Sequence, residues 1–539
     1  MPLAVAPLSE RTPPLVPESL VEDEARVNAC HSFNPEWPVL VQEHVLVRGR
    51  LQRRLATMVF TLLGTVASPV AALSPRAPVC ADATRRVPNT ADNATALLAR
   101  AIDVVGIATV NDRLRVSTVT DVTSLDYQSD RPYPPYLWSS REQRIVTSAA
   151  RRAVRLDLSL TAGGPAIIND GERQAVISPR GAQQVPLQTT NLVDERALDP
   201  WLVLLDWRND TSVRVSARCQ WRERERVILS RGAGPSAAHL VLDPMHGYPL
   251  ALERREPHVL WGDVYVQYSW SIWTPVAGSR AVAPMYAFRL VDGEVNLQRR
   301  HGPARLWPAD SATLMTLPAT LAPINDAPLE PDTVRVADRT FLLRTASYTN
   351  VVTLQRDTVF VLDAPVDAER ARRDSAWIGR LFPGRHPIVV IVTDLAWPHI
   401  AGVRYWAARR ATIVTRAEHR PFIERVLERR WTLAPDALES RRRTTRFAIR
   451  SVHDGLLLAG GAVRVLPIDG VGSEGAQMVF LPDAGFLWAG DFVQPGGPES
   501  FSRVYAEEVA AAVTRAGIVP THVAAMHFPL TVWSARPTR

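Results

Sequence analysis

Side chains that could bind a metal follow apolar segments in the C-terminal part of the chain. The run Val389–Thr393 leads into an Asp and then a His, another Asp follows Trp488-Ala-Gly, and a further His follows Ala525-Met. Imidazole nitrogens and carboxylate oxygens are the groups that bind zinc in proteins. A zinc ion held by such groups acidifies a water and polarises a carbonyl or phosphoryl group. Metal-dependent hydrolysis is therefore the chemistry these residue types could support if they converge.

The elements around these residues alternate in type. The predicted strands lie at 334–336, 340–344, 351–355, 358–362, 388–393, 411–415, 448–452, 462–466, 478–481 and 486–489. The predicted helices lie at 367–381, 400–409, 417–430 and 500–516. Strands, then strand–helix alternation, then strands and a helix again predict two stacked sheets with helices on the outside.

In this setting the segments resemble the metallo-β-lactamase fold. Its members carry an Asp after an early apolar strand, matched here by Asp363, and a Thr-His-x-His-x-Asp-His stretch after a later strand. A His-containing loop, an apolar-Gly-Asp turn and a final His follow in the same order in this chain. The resemblance spans residues 333–539 and implies an α+β protein whose C-terminal domain is an αββα sandwich.

Position by position, the resemblance implies that part of the zinc site has been lost. Asp394 stands in the place of the first motif His, Ala396 in that of the second, and Pro398 in that of the motif Asp. Gly472 stands in the place of the loop His. The first metal position would keep at most the Asp394 carboxylate, so a two-zinc site with a bridging hydroxide is excluded.

The second metal position keeps three of its four groups, which are His399, Asp491 and His527. Two imidazoles and one carboxylate suffice for one divalent ion with an open position, so the resemblance implies one zinc ion at most. Asp394 could partly substitute as a ligand or a base, and it is the candidate catalytic residue. Each residue also has a structural alternative: a helix-lining His399, a turn-stabilising Asp491 and a satisfied His527. The histidines that match no ligand position are His386, His419, His453 and His522.

The chain is too long for one hydrophobic core, and its composition divides it into six regions. They are an unpatterned leader (1–45), an export signal (46–72), a linker (73–95), a β-rich antiparallel domain (96–302), a Pro- and Ala-rich linker (303–332) and the C-terminal domain (333–539). Period-two alternation, as in Val264–Tyr268, predicts the antiparallel sheet. This domain loosely resembles the half-barrel of lipoprotein-carrier-like periplasmic proteins. Its tryptophans could line a ligand cavity or fill a packed core.

A basic segment at 48–54, an apolar run at 55–66 and small residues up to Ala72 are typical of a secretory signal. Export to the periplasm or the extracellular space is the expectation, with proximity to the membrane or the cell envelope. A single membrane anchor or a buried helix is the alternative for the apolar run. After export Cys80 and Cys219 could form a disulfide, although two unpaired thiols are equally compatible with the sequence.

The charge and the cysteines limit the classes of partner. The formal net charge is +7, and every one of the 62 basic residues is Arg. They are interleaved with acidic residues, so no nucleic-acid-binding face is expected. With three cysteines and no paired Cys spacing, a zinc finger is excluded.

Three functions follow from these features. The first is an exported, single-zinc hydrolase acting on a small molecule such as an ester, lactone, lactam or phosphodiester. The second is a catalytically inactive descendant that serves as a binding or scaffold module. The third is a protein that binds a lipid or another ligand in its β-rich domain.

Overall fold

The structure is a computed structural model. It describes residues 93–533 except 111–112, 125–137, 161–163, 179–180, 186–193, 222–223, 309–310, 312–313, 322–330, 346–347, 443–445, 471–472 and 494–500. The predicted leader and export signal, together with Cys30 and Cys80, lie outside the described residues. Cys219 is disulfide-bonded. Among the described residues, no helix is long and apolar enough to cross a bilayer.

The first folded unit is one large antiparallel sheet. Its strands are β1 (Leu114–Ser124), β2 (Trp138–Ser148), β3 (Ala153–Asp157), β4 (Ala166–Asn169), β5 (Gln174–Ser178), β6 (Gly181–Val185), β7 (Arg214–Trp221), β8 (Arg224–Arg231), β9 (Ala238–Leu242), β10 (Pro249–His258), β11 (Gly262–Pro275), β12 (Val282–Val291), β13 (Glu294–His301) and β14 (Arg305–Trp307). They lie in the order β6-β5-β4-β3-β2-β1-β13-β12-β11-β10-β9-β8-β7, with β14 paired to β1. Buried residues alternate with partly exposed ones through most of β11, because successive side chains point to opposite faces.

Helices α1 (Ala94–Val105), α2 (Glu195–Leu198) and α3 (Pro200–Arg208) accompany this sheet. Helix α3 begins where the Asp199 carboxylate accepts a hydrogen bond from the Trp201 backbone N–H. Trp201, Trp207 and Trp270 are at most 3% exposed and share one hydrophobic core with α1 and strands β8–β13. These three tryptophans therefore fill a packed core. The half-barrel resemblance of this unit stays a prediction.

Part of the segment predicted as a linker, 303–332, packs onto this sheet. Strand β14 pairs with the start of β1, and Met315 and Leu317 are 2% and 5% exposed. A Pro- and Ala-rich composition gave no sign of these contacts, because single buried side chains between prolines leave no periodic pattern.

The second folded unit contains two stacked sheets. The first has the order β15 (Asp332–Ala337), β16 (Thr340–Arg344), β17 (Thr349–Gln355), β18 (Thr358–Leu362), β19 (Ile388–Ile391), β20 (Thr412–Arg416) and β21 (Ala448–Val452), parallel from β18 onward. The second has the order β22 (Leu456–Leu458), β23 (Val463–Pro467), β24 (Gln477–Leu481), β25 (Phe486–Trp488), β26 (His522–Ala525) and β27 (Phe528–Val532). Side chains from both sheets, including Phe360 and Trp488, form the core between them.

Helices cover both outer faces. They are α4 (Ala368–Leu381), α5 (Trp397–Ile400), α6 (Val403–Ala408), α7 (Arg420–Glu428), α8 (Ala437–Arg441) and α9 (Phe501–Arg515). Side chains of α4 and α6–α8 form one core with the first sheet, and those of α9 form another with the second. The predicted α+β class, with a C-terminal αββα sandwich after a β-rich antiparallel domain, is confirmed. Strands β22, β26 and β27 were not predicted.

The two units are joined by the turn between β10 and β11. Leu260, in this turn, is 2% exposed. It belongs to the hydrophobic core between the first sheet of the second unit and the helices that cover that sheet. The ring of Trp261 meets that of Phe422 edge-on, with centroids 5.0 Å apart. At Gly262, where φ is +63°, a Cβ atom would lie 2.2 Å from the carbonyl oxygen of Arg430, so only glycine fits. The turn is thus a plug of the first unit seated in the second.

Candidate metal site

The three predicted zinc ligands come from separate elements and meet at one place. His399 lies in α5, after the carboxyl end of β19; Asp491 follows β25; and His527 lies in the turn between β26 and β27. His399 Nε2 is 3.9 Å from Asp491 Oδ2, and His527 Nε2 is 3.7 Å from Asp491 Oδ1. Each residue offers a ligand atom within 4.8 Å of the other two. In the described part of the chain, these three residues form the cluster of His, Cys, Asp or Glu side chains that could hold a metal ion.

The separations are somewhat wider than those around a bound zinc ion. Bonds of about 2.1 Å in a tetrahedral arrangement put donor atoms about 3.4 Å apart, so the three ligand atoms, which lie within 4.8 Å of one another, have to move closer to hold one ion. The donor set of two imidazoles and one carboxylate is that of catalytic zinc sites, which keep a fourth position for water. The arrangement therefore suits one ion.

The predicted catalytic residue Asp394 lies on the other side of His399. Its two carboxylate oxygens are 2.7 and 2.8 Å from His399 Nδ1, and its Oδ1 also accepts a hydrogen bond of 2.8 Å from the Ala396 N–H. Both side chains are buried, at 4% and 1% exposed. This contact holds the imidazole so that Nε2 faces Asp491, as carboxylates do for zinc-binding histidines. The geometry favours a positioning role for Asp394, and its predicted catalytic role stays a prediction.

The electrostatics of His399 follow from these neighbours. Burial opposes the charged imidazolium, but the Asp394 and Asp491 carboxylates outweigh it and raise the pKa of His399 to about 10. Without a metal, His399 is therefore protonated, with Asp394 facing its Nδ1 and Asp491 facing its Nε2. A metal ion at this position has to displace that proton.

Asp363, the first landmark of the resemblance, links the strands that lead to the site. Its carboxylate accepts hydrogen bonds of 2.8 Å from the Thr393 N–H, the Thr393 hydroxyl and the Trp488 indole N–H. Burial and then the charge of Asp394 raise the pKa of Asp363 to about 7. The residue has φ of +65°, a left-handed conformation that Asp tolerates better than most residues. It links the ends of β18 and β19 to β25, the strand that leads to Asp491.

Tyr348 is a member of the site that the sequence did not identify. Its ring meets that of His527 edge-on, with centroids 4.9 Å apart. Burial and then the Asp491 charge raise the pKa of Tyr348 to about 12, so the phenol keeps its proton at neutral pH. Its carbonyl accepts hydrogen bonds from the Thr345 N–H (3.0 Å) and the Arg370 guanidinium (3.3 Å). A tyrosine in a loop between strands gives no signal in sequence.

Among the described residues, Ala396 and the histidines without a ligand match lie outside this group. Gly472 lies outside the described residues, and Ala396 is buried with no metal-binding atom. His419 is buried, and a Cβ atom at Gly475 would lie 2.2 Å from its Nε2. Burial is the main cause that lowers the pKa of His419 to about 4. The remaining histidines without a ligand match are His386, His453 and His522.

Comparison with known proteins gives structural neighbours only. No family model matches the chain, and no curated protein matches it. Solved structures that match include the DIM-1 metallo-β-lactamase, with 13% identity over 38% of this chain and 92% of that chain, at a TM-score of 0.30.

Two further matches have similar values. A metallo-β-lactamase from Erythrobacter litoralis with β-mercaptoethanol in its active site matches at 16% identity over 38% of this chain and 91% of its own, at a TM-score of 0.29. FIM-1 from Pseudomonas aeruginosa, in its mono-zinc form, matches at 10% identity over 38% and 90%, at a TM-score of 0.30. At these values nothing about zinc content or β-lactam turnover passes from those enzymes to this chain. The layers and strand order of the second unit themselves agree with the αββα sandwich that the landmarks predicted.

Proposed function

We propose that the C-terminal domain binds one zinc ion through His399, Asp491 and His527 and hydrolyses an ester-, lactone-, lactam- or phosphodiester-type substrate. The observation that carries the proposal is the convergence of three ligand atoms within 4.8 Å from three separate elements. The Asp394 carboxylate on His399 Nδ1 adds to it, because such a contact orients and strengthens a histidine ligand.

When bound, the ion supplies an acidified water and polarises the scissile group. The protein supplies the rest. Asp394 fixes the orientation of His399, and the buried ladder from Trp488 through Asp363 to Thr393 fixes the backbone next to Asp394. Tyr348 packs on His527 and limits its rotation. The open coordination position and the loops around it would set the substrate, which is a small molecule in this proposal.

We also propose that the protein is exported. The basic, apolar and small-residue succession at 48–72 supports this, and so does the disulfide at Cys219, since disulfides persist in oxidising compartments. Alkylation of the periplasmic fraction with and without reductant, followed by mass spectrometry, tests both points at once. A cytoplasmic, fully reduced protein contradicts them.

The test of the metal site is elemental analysis of the full chain after loading with zinc and removal of excess. We expect one equivalent in the native protein and a large loss in His399→Ala and His527→Ala. His453→Ala is the matched control, because His453 is exposed and has no ligand match. A native protein that holds well under one equivalent refutes the metal site.

A non-catalytic binding or scaffold module is the second candidate. The position of Asp394 favours it, because both carboxylate oxygens contact His399 Nδ1. A carboxylate in this position does not act as the general base for a metal-bound water. The two functions are separated by turnover of an ester, lactone, lactam and phosphodiester panel. Zinc-dependent turnover that is lost in His399→Ala rules out the module, whereas one bound zinc without turnover rules out the hydrolase.

A further inference from the structure

An apolar rim lies at one end of the β-rich unit, made of Met245, Tyr248, Ile272 and Trp273. Met245 is 75% exposed and Ile272 is 57% exposed. The rings of Tyr248 and Trp273 stack with centroids 5.0 Å apart, and both are partly buried against the core beneath. The rim thus has two exposed apolar side chains and a stacked aromatic pair.

Ile272 is held in this position against its own preference. Its φ is +54°, a region that β-branched residues almost never adopt. The ladder between β11 and β12 runs from the pair Ser271–Tyr286 to the pair Trp273–Pro284 and omits Ile272. The residue therefore combines backbone strain with an aliphatic side chain exposed to water. Strain of this kind accumulates where a side chain is presented for a function.

Met245 is presented just as firmly. The Asp243 carboxylate accepts hydrogen bonds from the backbone N–H groups of Met245 (2.9 Å) and His246 (3.2 Å). From α1, the Arg100 guanidinium donates to the carbonyls of Pro244 (3.0 Å) and Met245 (2.7 Å). Four backbone groups of this short turn are thus hydrogen-bonded while the Met245 side chain is exposed to water.

The last turn of α1 holds the β9–β10 turn and the β11–β12 turn side by side. A Cβ atom at Gly247 would lie 3.0 Å from Val104 Cγ2, and one at Gly106 would lie 2.8 Å from the Cα of Ala281. The two turns therefore form one end of the unit. Among the described residues of 93–113, 243–249 and 276–281, the exposed arginines are Arg100, Arg113 and Arg280. The one exposed carboxylate among those described residues is that of Asp103.

We propose that this rim docks the protein on an anionic lipid surface. Exposed aliphatic side chains enter the boundary between headgroups and acyl chains, and Tyr and Trp are suited to that depth. Arginines around them are attracted to anionic headgroups. The apolar rim and the arginines around it are complementary to the acyl chains and the negative headgroups of such a surface. A neutral protein groove would complement the apolar side chains alone.

The experiment is co-sedimentation of the full chain with vesicles of phosphatidylglycerol and phosphatidylcholine, compared with vesicles of phosphatidylcholine alone. We expect binding to the anionic vesicles and about a tenfold lower partition coefficient for Met245→Ser or Ile272→Gly, since each removes one inserting side chain. Leu457→Ser is the matched control, because Leu457 is 64% exposed in β22 of the other unit. The apolar run at 55–66 can also bind vesicles, but it is the same in the native protein and in every variant. Its contribution to binding therefore cancels in the comparison.

Ile272→Gly separates loss of docking from loss of folding. Glycine adopts positive φ without strain, so this variant is expected to melt at a higher temperature than the native protein while binding vesicles less. Equal binding of native protein, Met245→Ser and Ile272→Gly overturns the proposal. So does a dimer in gel filtration that Met245→Ser abolishes, because the rim then contacts a second copy of the chain.

Discussion

Asp394→Asn tests the site most directly, because it removes a charge and little else. Asn has nearly the same shape, and its Oδ1 can still accept the hydrogen bond from His399 Nδ1. In the native protein both carboxylate oxygens lie 2.7 and 2.8 Å from that nitrogen, and the side chain is 1% exposed. The variant therefore keeps the packing and loses the negative charge behind the imidazole.

Once His399 is deprotonated in both proteins, the expected loss of zinc affinity is about 10- to 100-fold, or about 1.4–2.7 kcal/mol, the usual effect of removing a group that supports a ligand. A second effect depends on pH. Burial lowers the pKa of His399, but the charges of Asp394 and other carboxylates outweigh burial and raise it to about 10. Zinc must therefore displace a proton from the His399 imidazolium. Below this pKa, native affinity rises up to about tenfold per pH unit. In Asp394→Asn the pKa falls, so the rise ends at lower pH and is smaller between pH 7 and pH 9.

The assay is competition with a chromophoric chelator at pH 7 and pH 9, for native protein and variant. The affinity of the native protein relative to that of the variant is expected to be higher at pH 9 than at pH 7, because proton competition in the native protein is weaker at pH 9. Equal affinities at both values would show that Asp394 does not support a ligand. Equal pH slopes would show that it does not set the proton affinity of His399.

Three further predictions concern the plug between the units. Leu260→Ala is expected to lower the free energy of unfolding by about 2–5 kcal/mol, and urea titration followed by tryptophan fluorescence should show the loss; an unchanged midpoint contradicts the packing at this turn. Gly262→Ala is expected to destabilise the protein in the same assay more than Gly278→Ala, because only at the first position does a Cβ meet backbone, at the Arg430 carbonyl. Burial, and then Arg289 and Arg429, lower the pKa of His258 to about 3, so its contribution is intact above about pH 6.5 and is lost as pH falls toward 3. Between pH 6.5 and 4.5 this amounts to at most about 2.7 kcal/mol, and His258→Gln should remove that part of the pH dependence of unfolding; an unchanged slope refutes it.

Much of the fold was predictable because its strands alternate and its helices are punctuated. The helix predicted at 367–381 is α4, Ala368–Leu381, which begins at the Asp367 cap. The strand predicted at 358–362 is β18. Strands β26 and β27 escaped prediction because they are short and flank the His527 turn without regular alternation.

The site was predictable in part. The order of landmarks identified His399, Asp491 and His527, which the fold brings together. The contact from Asp394 to His399 was not predictable, because a turn of five residues can point a carboxylate in many directions. Tyr348 escaped for a related reason: its place beside His527 depends on how β17 and the β26–β27 turn pack, a contact between residues far apart in sequence.

The plug at Leu260 also has a thermodynamic consequence. Two units that share a core unfold together, so a ligand bound to one is linked by mass action to the stability of both. Zinc at 100 times its dissociation constant would add about 2.7 kcal/mol to the shared unfolding transition. Tryptophans of the β-rich unit such as Trp201 would then report an event at His399, although they lie in a different core. For the same reason, a fragment starting at residue 333 leaves the seat of Leu260 open to water, and its behaviour is not that of the domain in the whole chain.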